Sequence, residues 1–282
     1  MRMTKMVIDK AYVANYYDAT ARYYERFWSR ALHYGFWGAG IKNVHEAVLN
    51  ENKFLAEIAN IKRGDTVLDA GCGLGDSSIW LAHEIGAQVI GITISEKQRE
   101  KAIQFAQESG VAGQVQYLIQ DFCNTEFPDD YFDVVWAIES VCHAEKKIDF
   151  LKEAYWILKP RGGRLVVADG FLSREVLPKE DSLYKDFLEG LALVSLASFS
   201  EFGDDMRKIG FTNVPAINKT KEILPSSRKL YWRCLFALPF MKLVAFFGLV
   251  PDIVVKNGPA GIAQYKMVRS GLAGYGVFVG TK

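Results

Sequence analysis

The stretch TVLDAGCGLGDS, Thr66 to Ser77, runs an apolar strand-like segment into three glycines, Gly71, Gly73 and Gly75. A strand that ends this way must turn sharply and let something lie against its backbone, because glycine takes φ > 0 without steric cost and carries no side chain to hold a neighbour away. The spacing is G-x-G-x-G. In the dinucleotide pattern G-x-G-x-x-G a third glycine packs helix on strand where Asp76 stands here, so another nucleotide-like ligand is expected rather than a nicotinamide. A bare strand-to-helix connection would also use such a turn, and the rest of the chain has to separate the two.

Downstream, TVLDA, AQVIGITI, VQYLI, FDVVWAI and GRLVVADGF alternate with DSSIWLAHEIG, SEKQREKAIQFAQESG and EKKIDFLKEAYWILKP. Alternating strand and helix patterns predict an α/β fold, a parallel sheet with helices on both faces. Ser95 ahead of Glu96, Lys97 and Gln98 reads as a helix N-cap, and Gly110 as a stop. After Phe171 the segment EFGDDMRKIGFTNVPAINKT reads as helix, glycine stop and strand, and GYGVFVGT as the last strand. The intervening Lys221 to Gly274 is far longer than an ordinary connection and strongly apolar, which predicts helices of its own. Ahead of the sheet, Ala11 to Val48 is crowded with Tyr12, Tyr16, Tyr17, Tyr23, Tyr24, Phe27, Trp28, Tyr34, Phe36 and Trp37, and reads as a helical arm laid on the core. The expected division is an arm over 1–52, a cofactor-binding core over 53–220, a helical lid or cap over 221–273 and a last core strand over 274–282.

Half of the 282 residues are apolar and the net charge is +1, so the chain can bury a full core and has no electrostatic footprint for nucleic acid. Cys72, Cys123, Cys142 and Cys234 lie far apart with no C-x-x-C spacing, which argues against a disulfide framework and against a metal site. MRMTKMVIDK lacks a signal-peptide core, and a cytoplasmic setting is the simplest reading. The run LFALPFMKLVAFFGLVPDIVV is interrupted by Pro239, Lys242, Pro251 and Asp252 below the roughly 18 to 20 clean residues of a spanning helix. It suits lying on a membrane or lining an apolar cavity better than crossing a bilayer, and peripheral membrane contact is expected through residues 230–255.

In order along the chain, VLDAGCGLG (67–75), VIGITISEKQ (89–98), IQDFCN (119–124), FDVVWAIESVCH (132–143) and LKPRGGRLVVAD (158–169) resemble the motifs of the seven-stranded, Rossmann-like methyltransferases that use S-adenosylmethionine. The resemblance covers about Lys53 to Val279. It implies a mostly parallel seven-stranded sheet with Gly71 and Gly73 beside the methionine part of the cofactor and Asp69 contacting ligand or backbone. Asp121 would accept from the adenine amino group, and Phe122 would cover the ring. The commoner acidic residue at the end of the second strand is replaced by Thr93, and Gln98 resembles the glutamine that takes over the ribose in lipid- and prenyl-modifying branches. HYGFW, His33 to Trp37, resembles the arm that folds over cofactor and acceptor, with Tyr34 at the cofactor. Taken singly, Asp69 or Asp121 would read as a solvated loop carboxylate or a cap.

For the chemistry, His143 and Asp169 lie near the ends of adjacent strands, where small-molecule O-methyltransferases place their His and Asp; a histidine held by a carboxylate is a competent general base. Glu139 offers the rival chemistry. In enzymes that methylate an alkene carbon a carboxylate here stabilises the carbocation and takes the proton, while its plain role is anchoring the sulfonium side. The ending QYKMVRSGLAGYGVFVGTK resembles methyltransferases acting on sterols, tocopherols and long-chain lipids. The expectation is methyl transfer to a hydrophobic lipid-, sterol- or isoprenoid-like molecule, to a hydroxyl oxygen with His143 as base. The alternatives are carbon methylation using Glu139, or a cofactor-binding protein without turnover. A buried core helix remains the rival to a lid for 221–273, and a homo-oligomer is admitted but not specified.

Overall fold

A computed structural model describes residues 8–27, 30, 31 and 33–282, with backbone alone over 21–27. Trp28 and the side chains of Tyr23, Tyr24 and Phe27 therefore lie outside the described residues.

Short runs rich in Val, Ile and Leu form β1 (Thr66–Ala70), β2 (Gln88–Thr93), β3 (Val115–Ile119), β4 (Val134–Ile138) and β5 (Arg164–Leu172). With β6 (Ala216–Asn218) and β7 (Ala273–Thr281) they make one seven-stranded sheet, ordered β3-β2-β1-β4-β5-β7-β6. The β3-β2-β1-β4-β5 portion is parallel, and β7 runs antiparallel to both of its neighbours. Successive strand residues face opposite sides: Val67 joins a core with Val89, Trp136 and Val166, and Leu68 joins the other face with Val135, Leu165 and Val167. The helices that cover these faces are α2 (Val44–Ile58), α3 (Asp76–Trp80), α4 (Glu96–Glu108), α5 (Lys147–Ile157) and α7 (Phe199–Ile209), while α1 (Lys10–Phe27), α6 (Asp181–Gly190), α8 (Thr220–Phe246) and α9 (Asp252–Arg269) gather toward the site. From β1 the chain moves outward through β2 to β3, then crosses back to β4 on the other side of β1. That reversal opens a crevice outside the carboxyl ends of β1 and β4.

Three features depart from the sequence expectation. α2 runs unbroken across residue 52, because nothing between Val44 and Ile58 stops a helix, and it packs Leu55 and Ala56 on the sheet. α6 was not visible as a separate helix. α8 continues through Pro225 and Pro239, and although it is apolar all round it is neither core nor cavity wall over most of its length: Phe240 and Phe247 expose 68% and 66% of their surface. Of residues 221–273, Leu230 alone lines the main cavity among the described residues.

This contrast is testable by chemical denaturation. Phe202→Ala, at a side chain 1% exposed, should cost about 3 to 5 kcal/mol. The double change Phe240→Ser and Phe247→Ser should stay within about 1 kcal/mol of the parent, as surface substitutions do.

Candidate active site

The glycine turn is closed from beneath by one carbonyl: Ile92 O accepts from the N–H groups of Gly71 and Cys72 at 2.9 and 3.0 Å. Gly71, Gly73 and Gly75 have φ of 85°, 54° and 81°, and a Cβ on Gly71 would collide with the Ser140 side chain. The turn borders a cavity of about 260 Å³ that runs along the carboxyl edge of the sheet. Thr93, Gln98, Asp121, Phe122, Glu139, His143 and Asp169 all line it, as does Tyr34 from the arm. Asp69 does not. It is buried beneath, its Oδ2 accepting from Ser78 Oγ at 2.5 Å, against a neighbouring pocket of about 10 Å³; burial raises its pKa to about 6.

Ser95 caps α4, accepting from Gln98 N–H at 3.2 Å, and this places Gln98 in the first helical turn facing β2. Thr93 Oγ1 donates to Gln98 Oε1 at 2.8 Å, which fixes the amide with its NH₂ left for another acceptor. At the end of β3 Asp121 accepts from Cys123 N–H at 2.9 Å and is paired with Lys10 of α1.

Glu139, just past β4, holds a left-handed backbone with φ of 47°. Its Oε1 accepts from Tyr34 N–H at 2.9 Å and from the Tyr275 hydroxyl at 3.1 Å. That same hydroxyl lies 2.8 Å from Glu51 Oε1, so one phenol serves the fully buried Glu51 and the partly buried Glu139. Burial pushes both acids up, Glu51 to about 8 and Glu139, which also feels the charge of Glu51, well above the ordinary carboxylate range, so the pair holds a proton near neutral pH. Sequence reasoning missed Glu51 and Tyr275. For Glu51 the signal existed: α2 buries residues 47, 48, 51, 52, 55 and 56, so Glu51 and Asn52 are polar residues on an otherwise apolar face.

The expected His143–Asp169 pair does not form. Asp169 Oδ2 accepts from Cys142 N–H at 2.8 Å and Oδ1 from Gly170 N–H at 2.7 Å, so its oxygens shape the backbone beside the histidine. His143 Nε2 instead lies 2.6 Å from Tyr17 Oη, and Nδ1 lies 3.4 Å from Ala192 O. A carbonyl only accepts; the network therefore puts the proton on Nδ1 and lets Nε2 accept from Tyr17. Burial pushes the His143 pKa down to about 4. The loop that carries His143 is anchored by Lys147, whose Nζ donates to Cys142 O, Ala144 O and Ser195 O at 2.9, 2.6 and 2.8 Å.

The cover over the cavity is α1. Val13, Tyr16 and Tyr17 line it from above, Asp18 accepts from Ser95 Oγ, and Tyr16 Oη donates to Asn257 of α9 at 2.8 Å. Behind it, Tyr34 Oη donates to Gln264 and Ser226 Oγ donates to Tyr34 O, which ties the arm to the α8–α9 hairpin.

Residues 68–167 match the family model described as a methyltransferase domain. Over 213 residues the chain is 32% identical to the 27-O-demethylrifamycin SV methyltransferase of Amycolatopsis mediterranei, an alignment that covers 76% of this chain and 78% of that protein. The chain belongs to the S-adenosylmethionine-dependent methyltransferases. It is also 31% identical over 200 residues to the sterol 24-C-methyltransferase of Eremothecium gossypii, covering 70% of this chain and 53% of that protein, about half its length. The cyclopropane synthase MmaA2 of Mycobacterium tuberculosis, at 16% identity and a TM-score of 0.81 with both chains covered completely, shares the fold. The methyltransferase cofactor suits what this crevice offers: the backbone of Gly71 and Gly73 on its wall, an oriented Gln98 amide, and a carboxylate at Asp121 paired with Lys10 of α1.

The shared proton has a thermodynamic signature. Unfolded, Glu51 loses its proton near the ordinary glutamate value of 4.5; folded, near 8, so the native state binds more protons between those values and stability falls as pH rises through them. Buried His143 slopes the other way only below its unfolded value of 6.5. The wild-type melting temperature should thus drop between about pH 6.5 and 8, and Glu51→Gln, which keeps the bond from Tyr275, should drop less. Equal slopes in differential scanning fluorimetry would remove the shared-proton assignment.

Proposed function

We propose that the protein transfers a methyl group from S-adenosylmethionine to a hydroxyl oxygen of a hydrophobic lipid-, sterol- or isoprenoid-like molecule. The observation that carries the oxygen reading is the 2.6 Å contact between Tyr17 Oη and His143 Nε2 in the cavity wall. Gly71 and Gly73 offer backbone to the methionine part, the Gln98 amide faces the ribose, and Asp121 with Phe122 receives the adenine once Lys10 gives way. Asp69 supports the turn from below through Ser78.

Bound there, the cofactor supplies a methyl group on a sulfonium, and the acceptor oxygen that takes it releases a proton. Tyr17 Oη accepts that proton as its own passes to Nε2, leaving imidazolium with Nδ1–H still directed at Ala192 O. A histidine pushed down to about 4 is unprotonated throughout the neutral range and passes the proton on rather than keeping it. Asp169 acts as a positioning residue, holding the backbone of Cys142 beside the histidine. Alignment and exclusion of water beneath α1 supply much of the remaining rate.

Leu191, Leu193, Val194 and Leu196 give the acceptor side of the cavity an aliphatic wall, which supports an apolar acceptor. The rifamycin relative is named for an O-demethyl substrate and the sterol relative for carbon methylation. The second reading, carbon methylation, is favoured by one observation: the buried Glu51–Tyr275–Glu139 group beside the Tyr34 ring, suited to holding positive charge and taking a proton. An acceptor of either kind dissolves in bilayers better than in water, so the reading calls for peripheral contact with a membrane.

The test is label transfer from S-adenosylmethionine to a lipid extract, with mass spectrometry of the product. Tyr17→Phe and His143→Ala should each lower turnover by on the order of 10² to 10⁴ with calorimetric cofactor affinity little changed. Activity that survives both changes and disappears in Glu139→Gln would replace the oxygen reading with carbon methylation. Gly73→Val, which forces a branched residue to φ near 54°, should abolish cofactor binding with the fold retained.

A further inference from the structure

The large apolar side chains that face solvent are concentrated on one element. Phe236, Phe240 and Phe246 of α8 and Leu249 of the turn after it expose between 68% and 83% of their surface, with Trp232, Leu243 and the helix's C-cap residue Phe247 at 49%, 57% and 66%. Trp232, Phe236, Phe240, Leu243 and Phe247 follow one another at steps of four, four, three and four, a continuous stripe along α8 to its C-cap. The opposite face of α8 is occupied: Leu238 and Cys234 sit so close to Gly258 and Gly261 of α9 that a Cβ at either glycine would collide with them. The hairpin is therefore complete as a packed pair, and the stripe is surplus to its folding. A contiguous apolar surface of this kind marks an interaction site.

Charge decides its partner. Between Glu222 and Asp252 the sequence has no acidic residue and four cations, Arg228, Lys229, Arg233 and Lys242, all on exposed positions. A second copy docking through the same face would set cations against cations, with only Glu222 at the start of α8 and Asp252 at the start of α9 as carboxylates of the hairpin to answer them. An anionic lipid surface complements both properties at once, the rings entering the interfacial zone and the cations meeting headgroups. No helix among the described residues is long and apolar enough to cross a membrane, so the contact is one of lying on the surface. On its α9-facing side the same helix also lines the cavity with Leu230.

We propose that the outer part of the α8–α9 hairpin, Phe236 to Leu249, docks on a bilayer containing anionic lipid. The inference deepens the lipid-acceptor reading, but its observations are those of the hairpin alone.

The experiment is sedimentation of the full chain with phosphatidylcholine vesicles, with and without phosphatidylserine. Wild type should sediment with the anionic vesicles and lose most of that binding at high salt. Phe240→Ser with Phe247→Ser should weaken it at least about tenfold, and Lys242→Glu by on the order of ten- to thirtyfold. Calorimetry with S-adenosylmethionine on the same variants shows that they are folded. Wild type left in the supernatant, binding unchanged in the double variant, or equal binding to phosphatidylcholine alone would each overturn the proposal. So would a dimer in analytical ultracentrifugation that the double variant dissolves, which would assign the stripe to a second copy. Methyl transfer to a detergent-dispersed acceptor is independent of vesicle binding, so failure here and failure of the catalytic reading are distinguishable.

Discussion

The pairing of β1 with β4, Val67 with Val134, Leu68 with Val135 and Asp69 with Trp136, is the constraint from which the site follows. Those two strands are buried almost throughout, and the register between them places the end of β1, where the glycines turn, directly beside the end of β4, where Glu139 and Ser140 begin. The strands flanking them inherit their positions from this pair. β2 then brings Thr93, β3 brings Asp121 and β5 brings Asp169 to the same edge. Because Ser140 also donates to Ala70 O at 2.6 Å, the two strand ends are bonded beyond the last ladder rung, and the left-handed backbone of Glu139 is held where it could not persist alone.

Around that edge the molecule buries more carboxyl groups than it neutralises with cations. Asp69, Glu51 and Asp169 are buried and Glu139 is partly so, and hydroxyl and amide donors rather than lysine or arginine satisfy most of their oxygens. Neutral donors favour the ionised carboxylate less strongly than a fixed cation would, so burial keeps these groups above the ordinary carboxylate range. The site is thus prepared for a ligand that brings positive charge with it. A sulfonium is such a ligand.

Much of this was legible in the chain. TVLDA and VQYLI are strands at their sequence-expected limits, and Ser95 caps the helix that presents Gln98. What failed did so for identifiable physical reasons. Adjacent strands do place His143 and Asp169 near each other, but strand order says nothing about which donors a carboxylate reaches first, and the backbone amides of Cys142 and Gly170 were nearer. Hydrophobicity around the whole of α8 reads as burial, yet composition alone does not say whether protein, ligand or another phase covers a surface. The partner that does cover the cavity, α1, was visible only as an aromatic-rich arm; its contacts with Asp121, Ser95, His143 and Asn257 join residues up to 241 positions apart.

Lys147 gives the two sides of the cavity unequal mechanical character. Its ammonium has three protons and all are directed at carbonyls, two within the His143 loop and one on Ser195 ahead of α7. That side is a fixed jaw, clamped to the body of the fold by a partly buried cation with no donor to spare. α1 is joined to the rest by side-chain contacts distributed along its length, and its Lys10 end is largely in solvent. A relative with a different acceptor can therefore keep the fixed jaw and exchange the other, so diversification within this architecture has its least costly route through α1 rather than through the sheet.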